Sequence, residues 1–595
     1  MALAISNEDT QLLLNDKNVL QEHNLEKYRT AGQITETTLK FLVRLINNSY
    51  HFKKYSTPLS ISELCSLSDS FMQTCINDVF ANKVNEKGIA HPTTIDIDEI
   101  SKGWAPELDD ASNLTHWNKD HAMGKKRESV CQGRKSAVAG FLQEGDVVKI
   151  TLGCHIDGYT SQVSHTLVIY PTITSEETQE LVPAGPLLGP KADAIAATHI
   201  AVESVTSLLA CALAPEKLPA AFPERQVTGS LIRLVVDTIA KTYNCALVPG
   251  SRVRRIRRFL AGQYEGVVAE RNVKGVYWTE SHQEAELLSA SVEDKDVVKS
   301  KKGNGFTNDS AIATDDFSVL PGEVYLIDLQ MAPLDGLPRG LITLQSVDQY
   351  SGKSHNQETL VARPSIICRD FAQQQVLKLK SSRQLLNKLD KSGVFPKKLS
   401  HLSNAFPLDI ENPDWETISK ELKPLRLGLS EITNNYLATV KSIQVCKLIP
   451  WDTILKAANP TGSHGIDANE QALPGHELPL PQLNISSLKL KALMKEAISV
   501  PVARKSITVV LCSSSITSSG KEELLKLNGG SCTRTSWVHS KYELNSSDKI
   551  SQGIFQLAQL SKDKRFGLTI RETQPWKMKN MKDTVTPINP DMVME

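Results

Sequence analysis

Between Glu144 and Tyr170 the chain reads EGDVVKITLGCHIDGYTSQVSHTLVIY. Val147, Ile150, Leu152 and Cys154 place apolar side chains on one arm, and Val163, Leu167 and Ile169 alternate along the next. Alternation of this kind belongs to strands. Asp157-Gly158 lies between the arms and tolerates the positive φ that a tight two-residue turn needs. The segment predicts a β-hairpin.

Around it the apolar spacing changes to that of helices. Tyr28, Ile34, Leu39, Leu42, Val43 and Ile46 predict a helix over Leu25–Asn48, and Ile61–Phe80 a second, capped by Ser60 or Ser62 before Glu63. Ala192–Leu213 and Pro223–Tyr243 predict long core helices, and Phe371–Leu389 and Leu425–Val440 two more. Gly266–Arg363 reads as β-rich, and strands return at Ser506–Leu511 and Gly567–Arg571. Asp96–Gly140 and Ser291–Asp316 have no period and read as inserted loops, and Ala457–Leu483 as a Pro/Gly-rich linker.

At 595 residues the chain is too long for one compact domain, so it holds several units or one domain with large insertions. Acidic and basic residues balance at 67 each, so any electrostatic site is a local patch. Ten cysteines contain no C-x-x-C pair, which argues against zinc ribbons and redox motifs and for reduced thiols. The opening MALAISNEDTQ lacks the form of a signal peptide, and no apolar run is expected to reach membrane-spanning length.

Several blocks, in order, resemble the type 2 methionine aminopeptidases and their proliferation-associated relatives, within the creatinase/methionine aminopeptidase superfamily. They are KYRTAGQITETTLKFL, KGIAHPTTIDIDEI, the hairpin LQEGDVVKITLG through SHTLVI, LPGEVYLIDL, LRLGLSEITNNYLATVKSI and VARKSITVVL. The resemblance implies an α/β (α+β) pita-bread fold with long insertions. Its domain would span 25–572, with insertions at about 96–140, 291–316 and 364–490, after an extension over 1–24 and before a tail over 573–595.

Active members of that superfamily hold two bridged divalent cations with four carboxylates and one histidine. Matching their pattern puts Thr151 at the first Asp and Gln162, eleven residues on, at the second. The His position falls in Arg252-Val253-Arg254, at Val253; the two Glu positions fall at Asp328 and Ser506, and the substrate-side His near Gly103. One carboxylate cannot offset two dications, so the expectation is no metal, no cofactor and no catalytic residue.

The chain is similar to a fungal metalloprotease-like branch, the ribosomal export complex proteins, that kept the pocket and lost the ligands. That resemblance implies binding to precursors of the large ribosomal subunit (rRNA and ribosomal proteins near the tunnel exit) and contact with nucleoporin repeats and other biogenesis factors. It also implies shuttling between nucleus and cytoplasm, without membrane insertion. The alternatives are an active metallo-aminopeptidase with a rearranged site and a free RNA-binding regulator.

Arg252, Arg254, Arg255, Arg257 and Arg258 form the densest basic cluster and are candidate rRNA contacts, as are Lys125, Lys126 and Arg127 and the group Lys299, Lys301 and Lys302. The bland reading of each is a solvated basic face. His155 and His165 could approach across the hairpin and share a metal, although packed histidines are commoner in strands. Cys154 is expected as a small buried hydrophobe, and Thr151 and Ser506 as a polar plug in the vacated site.

Overall fold

The computed structural model describes residues 12, 16–81, 83–109, 140–174, 181–258, 273–289, 315–347, 364–458, 493–494, 497–516, 520, 522–529, 537–545 and 547–576. Helices α1 (Glu22–Ile46) and α2 (Ile61–Asp78) come first. Strands β1 (Lys87–Ile97) and β2 (Ile100–Lys102) follow, then the hairpin, β3 (Val147–Ile156) and β4 (Tyr159–Val168). After α3 (Pro190–Cys211) and α4 (Gly229–Thr242) come β5 (Arg252–Arg255), β6 (Gly275–Tyr277), β7 (Val324–Pro333) and β8 (Gly340–Val347). Helices α5 (Lys380–Lys391) and α6 (Trp415–Asn434) precede β9 (Ile443–Pro450), β10 (Ala503–Cys512) and β11 (Glu523–Lys526).

The main sheet runs β1-β3-β4-β10-β7-β5-β6, antiparallel at every step. Its two halves have separate cores. In one, α1 and α2 bury Ile34, Leu42, Leu64 and Phe71 with Ile150, Leu152 and Val163 of the hairpin. In the other, α3 and α4 bury Val205, Leu208, Val235 and Ile239 with Ile327, Leu329 and Val509. Two helical layers on one antiparallel sheet make the pita-bread fold that the resemblance implied.

The local signals act as expected. Asp157 and Gly158 turn the hairpin at φ 53° and 80°, and Ile156 pairs with Tyr159 across a two-residue loop. Ser60 caps α2: its hydroxyl accepts from Glu63 N at 3.3 Å, while the Glu63 carboxylate accepts from Ser60 N at 2.8 Å. Such a reciprocal pair satisfies two otherwise orphaned amides, so Ser60→Ala is expected to cost about 1 kcal/mol in urea unfolding. Gly32 is required by close approach: a Cβ there would lie 2.5 Å from Leu527 O.

Other expectations change. Asp96 is not the start of a loop; β1 runs to Ile97 and β2 follows. The unpatterned acids turn inward because they find donors: buried Asp96 accepts from Trp104 N at 2.8 Å and from Thr94 Oγ1 at 3.0 Å. Residues 371–379 are not helical, and α4 begins at Gly229. Helix α6 stops at Asn434 because Tyr436 takes φ 57°, after which β-branched Thr439 and Val440 pair with Ile367–Arg369.

The inserted region 364–490 is split. Helices α5 and α6 share a small core of Leu385, Leu389, Ile418, Leu422 and Ile432, but β9 returns to pair with β8 and β2. Helix α3 is long and apolar enough to cross a membrane by length and composition, contrary to the expectation that no run would be. Its side chains are instead shared among the sheet and α4 in the larger core. Most of the loop 291–316, the linker from 459 and the tail from 577 lie outside the described residues.

Candidate functional site

Strand alternation brings the degenerate ligand positions to the junction of the two half-sheets. Thr151 on β3 stands opposite Ser164 on β4, Ser164 opposite Ser506 on β10, and Ser506 opposite Asp328 on β7. All four are buried. Thr151 Oγ1 and Ser164 Oγ lie 2.9 Å apart. Buried Gln162 is held through its backbone, whose N–H donates to Thr508 Oγ1 at 3.1 Å and whose carbonyl accepts from the same hydroxyl at 2.9 Å.

Val253 does not belong to this group. It is fully buried in the α3/α4 core and pairs with Ile327. The residue opposite Asp328 is Arg252. A one-residue step along a strand exchanges its two faces, so on this strand Arg252, and not Val253, shares the face of Asp328. Gly103, expected near the substrate-side His, has φ 99° and sits where a Cβ would lie 3.0 Å from Ser442 O.

The residue that organises the cleft is one the sequence reading did not single out. Arg504, 1% exposed, grips Asp328 with both edges of a fork: Nε–Oδ1 2.8 Å and Nη2–Oδ2 2.9 Å. Its Nη1 donates to Thr151 Oγ1 at 3.3 Å. Burial raises the pKa of Asp328, but the Arg504 charge and hydrogen bonds, then Arg252 and Lys102, hold it below the usual carboxylate range. Arg252 Nη2 is 4.0 Å from Asp328 Oδ2. Burial, then Arg504 and Arg252, push Lys102 down to about 8. Burial and Arg504 push His91 down to about 4, leaving it neutral at pH 7.

This chemistry does not fit the pair of dications that the fold family implies. The one surviving carboxylate is already neutralised by a guanidinium, and two further cations lie within reach of it. On the strands around Asp328, the buried side-chain atoms without a hydrogen-bond partner among the described residues include Arg252 Nε and Nη2, Gln162 Nε2, Gln330 Nε2 and Ser506 Oγ. All but the last are donors only, and a donor lining repels a metal ion. Among the described residues, no group of three or more His, Cys, Asp or Glu side chains is placed to hold one.

The other candidate residues separate. The arginine run is not an exposed row, because most of its members meet acids or carbonyls of neighbouring strands. Arg254 and Arg255 are buried, and Arg255 pairs with Glu323 at 3.1 Å. Arg258 ties the hairpin turn, donating to Asp157 O at 2.8 Å and Oδ1 at 2.9 Å. Arg257 is half-buried beside a groove of about 250 Å³ that includes Tyr28 and Tyr159. Lys125, Lys126, Arg127, Lys299, Lys301 and Lys302 lie outside the described residues.

His155 faces Thr160 and stacks on Phe395 at 3.9 Å, whereas His165 faces Ile150, well along the hairpin. They do not meet. Cys154 is buried, and its thiol, pushed up to about 12 by burial, donates to Ala31 O at 3.3 Å.

No protein-family profile matches the chain. It is 68% identical over 579 residues to a probable metalloprotease ARX1 of Eremothecium gossypii, covering 97% of this chain and 98% of that one. It is 59% identical over 592 residues to the probable metalloprotease ARX1 of Saccharomyces cerevisiae, covering 98% of each. Among solved structures, a thermophilic Arx1 aligns at 15% identity over 90% of this chain and 98% of its own, with TM-score 0.49.

Proposed function

The chain belongs to the Arx1 family of probable metalloproteases, and on that premise we propose that it is a non-catalytic assembly and export factor for the large ribosomal subunit. It binds the precursor particle near the tunnel exit, excludes premature partners there, and travels with it from nucleus to cytoplasm. The observation that carries the non-catalytic part is the Arg504–Asp328 pair, which puts a covalently attached positive charge where a hydrolase of this fold would hold its metals.

The rRNA contacts of this reading fall on the basic runs Lys125, Lys126, Arg127 and Lys299, Lys301, Lys302, with half-buried Arg257 a further candidate. Val376, Leu379, Leu427 and Tyr436, exposed apolar side chains of the inserted region, offer nucleoporin repeats a place to dock.

Two measurements test the proposal. Tagged protein is expected to cosediment with nuclear large-subunit precursors and not with mature ribosomes; migration only with free protein would refute the assembly role. Protein dialysed against manganese or cobalt and then buffer is expected to keep far less than one ion per chain by elemental analysis. Two retained ions with peptide turnover would establish the metallo-aminopeptidase instead.

A further inference from the structure

The unpartnered groups of the cleft are not scattered. Gln330 lies two residues beyond Asp328 on β7 and opposite Arg504. Its Oε1 accepts from Ser101 Oγ at 2.5 Å, and its backbone N–H donates to Ser251 Oγ at 3.0 Å. Ser101 precedes Lys102 and Ser251 precedes Arg252, so Gln330 clamps the two cation-bearing segments together. The Lys102 ammonium lies over Gly250: a Cβ built there would be 3.5 Å from Lys102 Nζ.

The free groups that result share one polarity. The Arg252 edge that carries Nε and Nη2 is buried without an acceptor among the described residues, as is Gln330 Nε2. The same Nε–Nη2 edge is the one with which Arg504, Arg233 and Arg426 each grip a carboxylate. The backbone of Lys102 pairs with Gln444, but its ammonium makes no hydrogen bond or ion pair among the described residues. Arg504, Arg252 and Lys102 all act on Asp328, and Arg504 also acts on buried Asp96. The Arg252 side chain keeps 12% exposure and Lys102 is half-buried, while Arg504 and Asp328 are sealed.

We propose that the mouth of this cleft is an oxyanion site, in which the Nε–Nη2 fork of Arg252, the Gln330 amide and the Lys102 ammonium hold one carboxylate or phosphate group. The polarity of the ancestral pocket is thus inverted: a place built to bind cations through carboxylates binds an anion through cations. A guanidinium fork takes two oxygens of such a group in parallel hydrogen bonds. Burial strengthens those bonds, and it makes unmade donors costly. The inference rests on the donor geometry and not on a ribosomal role, so either can fail without the other.

The test uses the full chain and inorganic phosphate, followed by isothermal titration at constant ionic strength. Saturable binding of one phosphate per chain is expected. Arg252→Gln is expected to weaken it at least about tenfold, since a charge-assisted pair is lost. Arg252→Lys keeps the charge without the fork and should fall between, and both variants are checked for the native unfolding midpoint.

A second arm identifies the source. If a short peptide with a free C-terminal carboxylate displaces phosphate and its C-terminal amide does not, the natural occupant is a carboxylate; if neither does, it is a phosphate. Absence of saturable binding to the wild type, or equal binding by folded Arg252→Gln, would overturn the proposal.

Discussion

Arg504→Met is expected to cost about 3–5 kcal/mol of stability, the range for removing one partner of a buried ion pair. The cost arises because Asp328, fully buried, would lose both hydrogen bonds of its fork and be left with Arg252 at 4.0 Å. Asp328→Asn fails for the complementary reason: Arg504 would remain buried beside Arg252 and Lys102 without a full counter-charge. The double variant removes both charges, so its loss should fall short of the summed single losses by about 2 kcal/mol or more. Urea unfolding of the four proteins measures this. Additive losses would show that the pair is not what secures the junction of the half-sheets.

Acidification from about pH 7.5 to 5 is expected to remove stability at up to about 4 kcal/mol per pH unit. Burial pushes His51 and His91 down to about 4, and His165 and His199 to about 3, with Lys505 adding to the last two. His155, buried near Lys397, is also pushed well down. A depressed histidine refuses the proton that the unfolded chain takes up below about pH 6.5, so stability is lost as pH falls.

Two acids oppose this. Burial raises Asp96 to about 6 and Glu99 to about 7, so each binds a proton in the folded state before the unfolded one does. Among the groups with the largest shifts, five sites against two leave the unfolded state with about three extra protons near pH 5.5, while depressed His282 and raised Glu86 and Asp237 add smaller effects of opposite sign. Below about pH 4.5 the depressed carboxylates, Glu203 at about 2 among them, add to the loss. Urea midpoints across this range check the sum. A flat profile between pH 7.5 and 5 would mean that the histidines are not held neutral.

Much of the fold was legible because its signals are local. The Asp-Gly turn, the capping box at Ser60 and the alternation of the hairpin each depend on neighbours a few residues away. Helix ends were less legible: Leu425–Val440 continues the helical spacing, yet Tyr436 adopts positive φ and Ala438–Val440 joins a strand. At the site, Thr151, Ser506 and Asp328 fell together as expected, since each lies on a strand with a clear period. Val253 did not, because a short run such as Arg-Val-Arg-Arg gives no sign of which face its odd members take.

The basic run misled for a related reason. Arginines are read as exposed by default, but Arg255 and Arg258 meet Glu323 and Asp157 across other strands, and that pairing permits their burial. Arg504 was missed because an arginine in VARKSITVVL has nothing local to mark it. Its partner is 176 residues distant. A period-two reading of β10 would have placed it on the face of Ser506, and no more than that.

The amino-acid sequence alone determined which donor atoms exist: at positions that the family resemblance assigns to metal ligands it supplies Thr151, Gln162, Asp328 and Ser506, and that is a matter of residue identity. Only the tertiary structure decided what stands in their place. Charge interactions depend on distances between strands remote in the chain, and folding set Arg504, Arg252 and Lys102 around Asp328, turning a vacated cation site into a cleft whose free groups seek an anion.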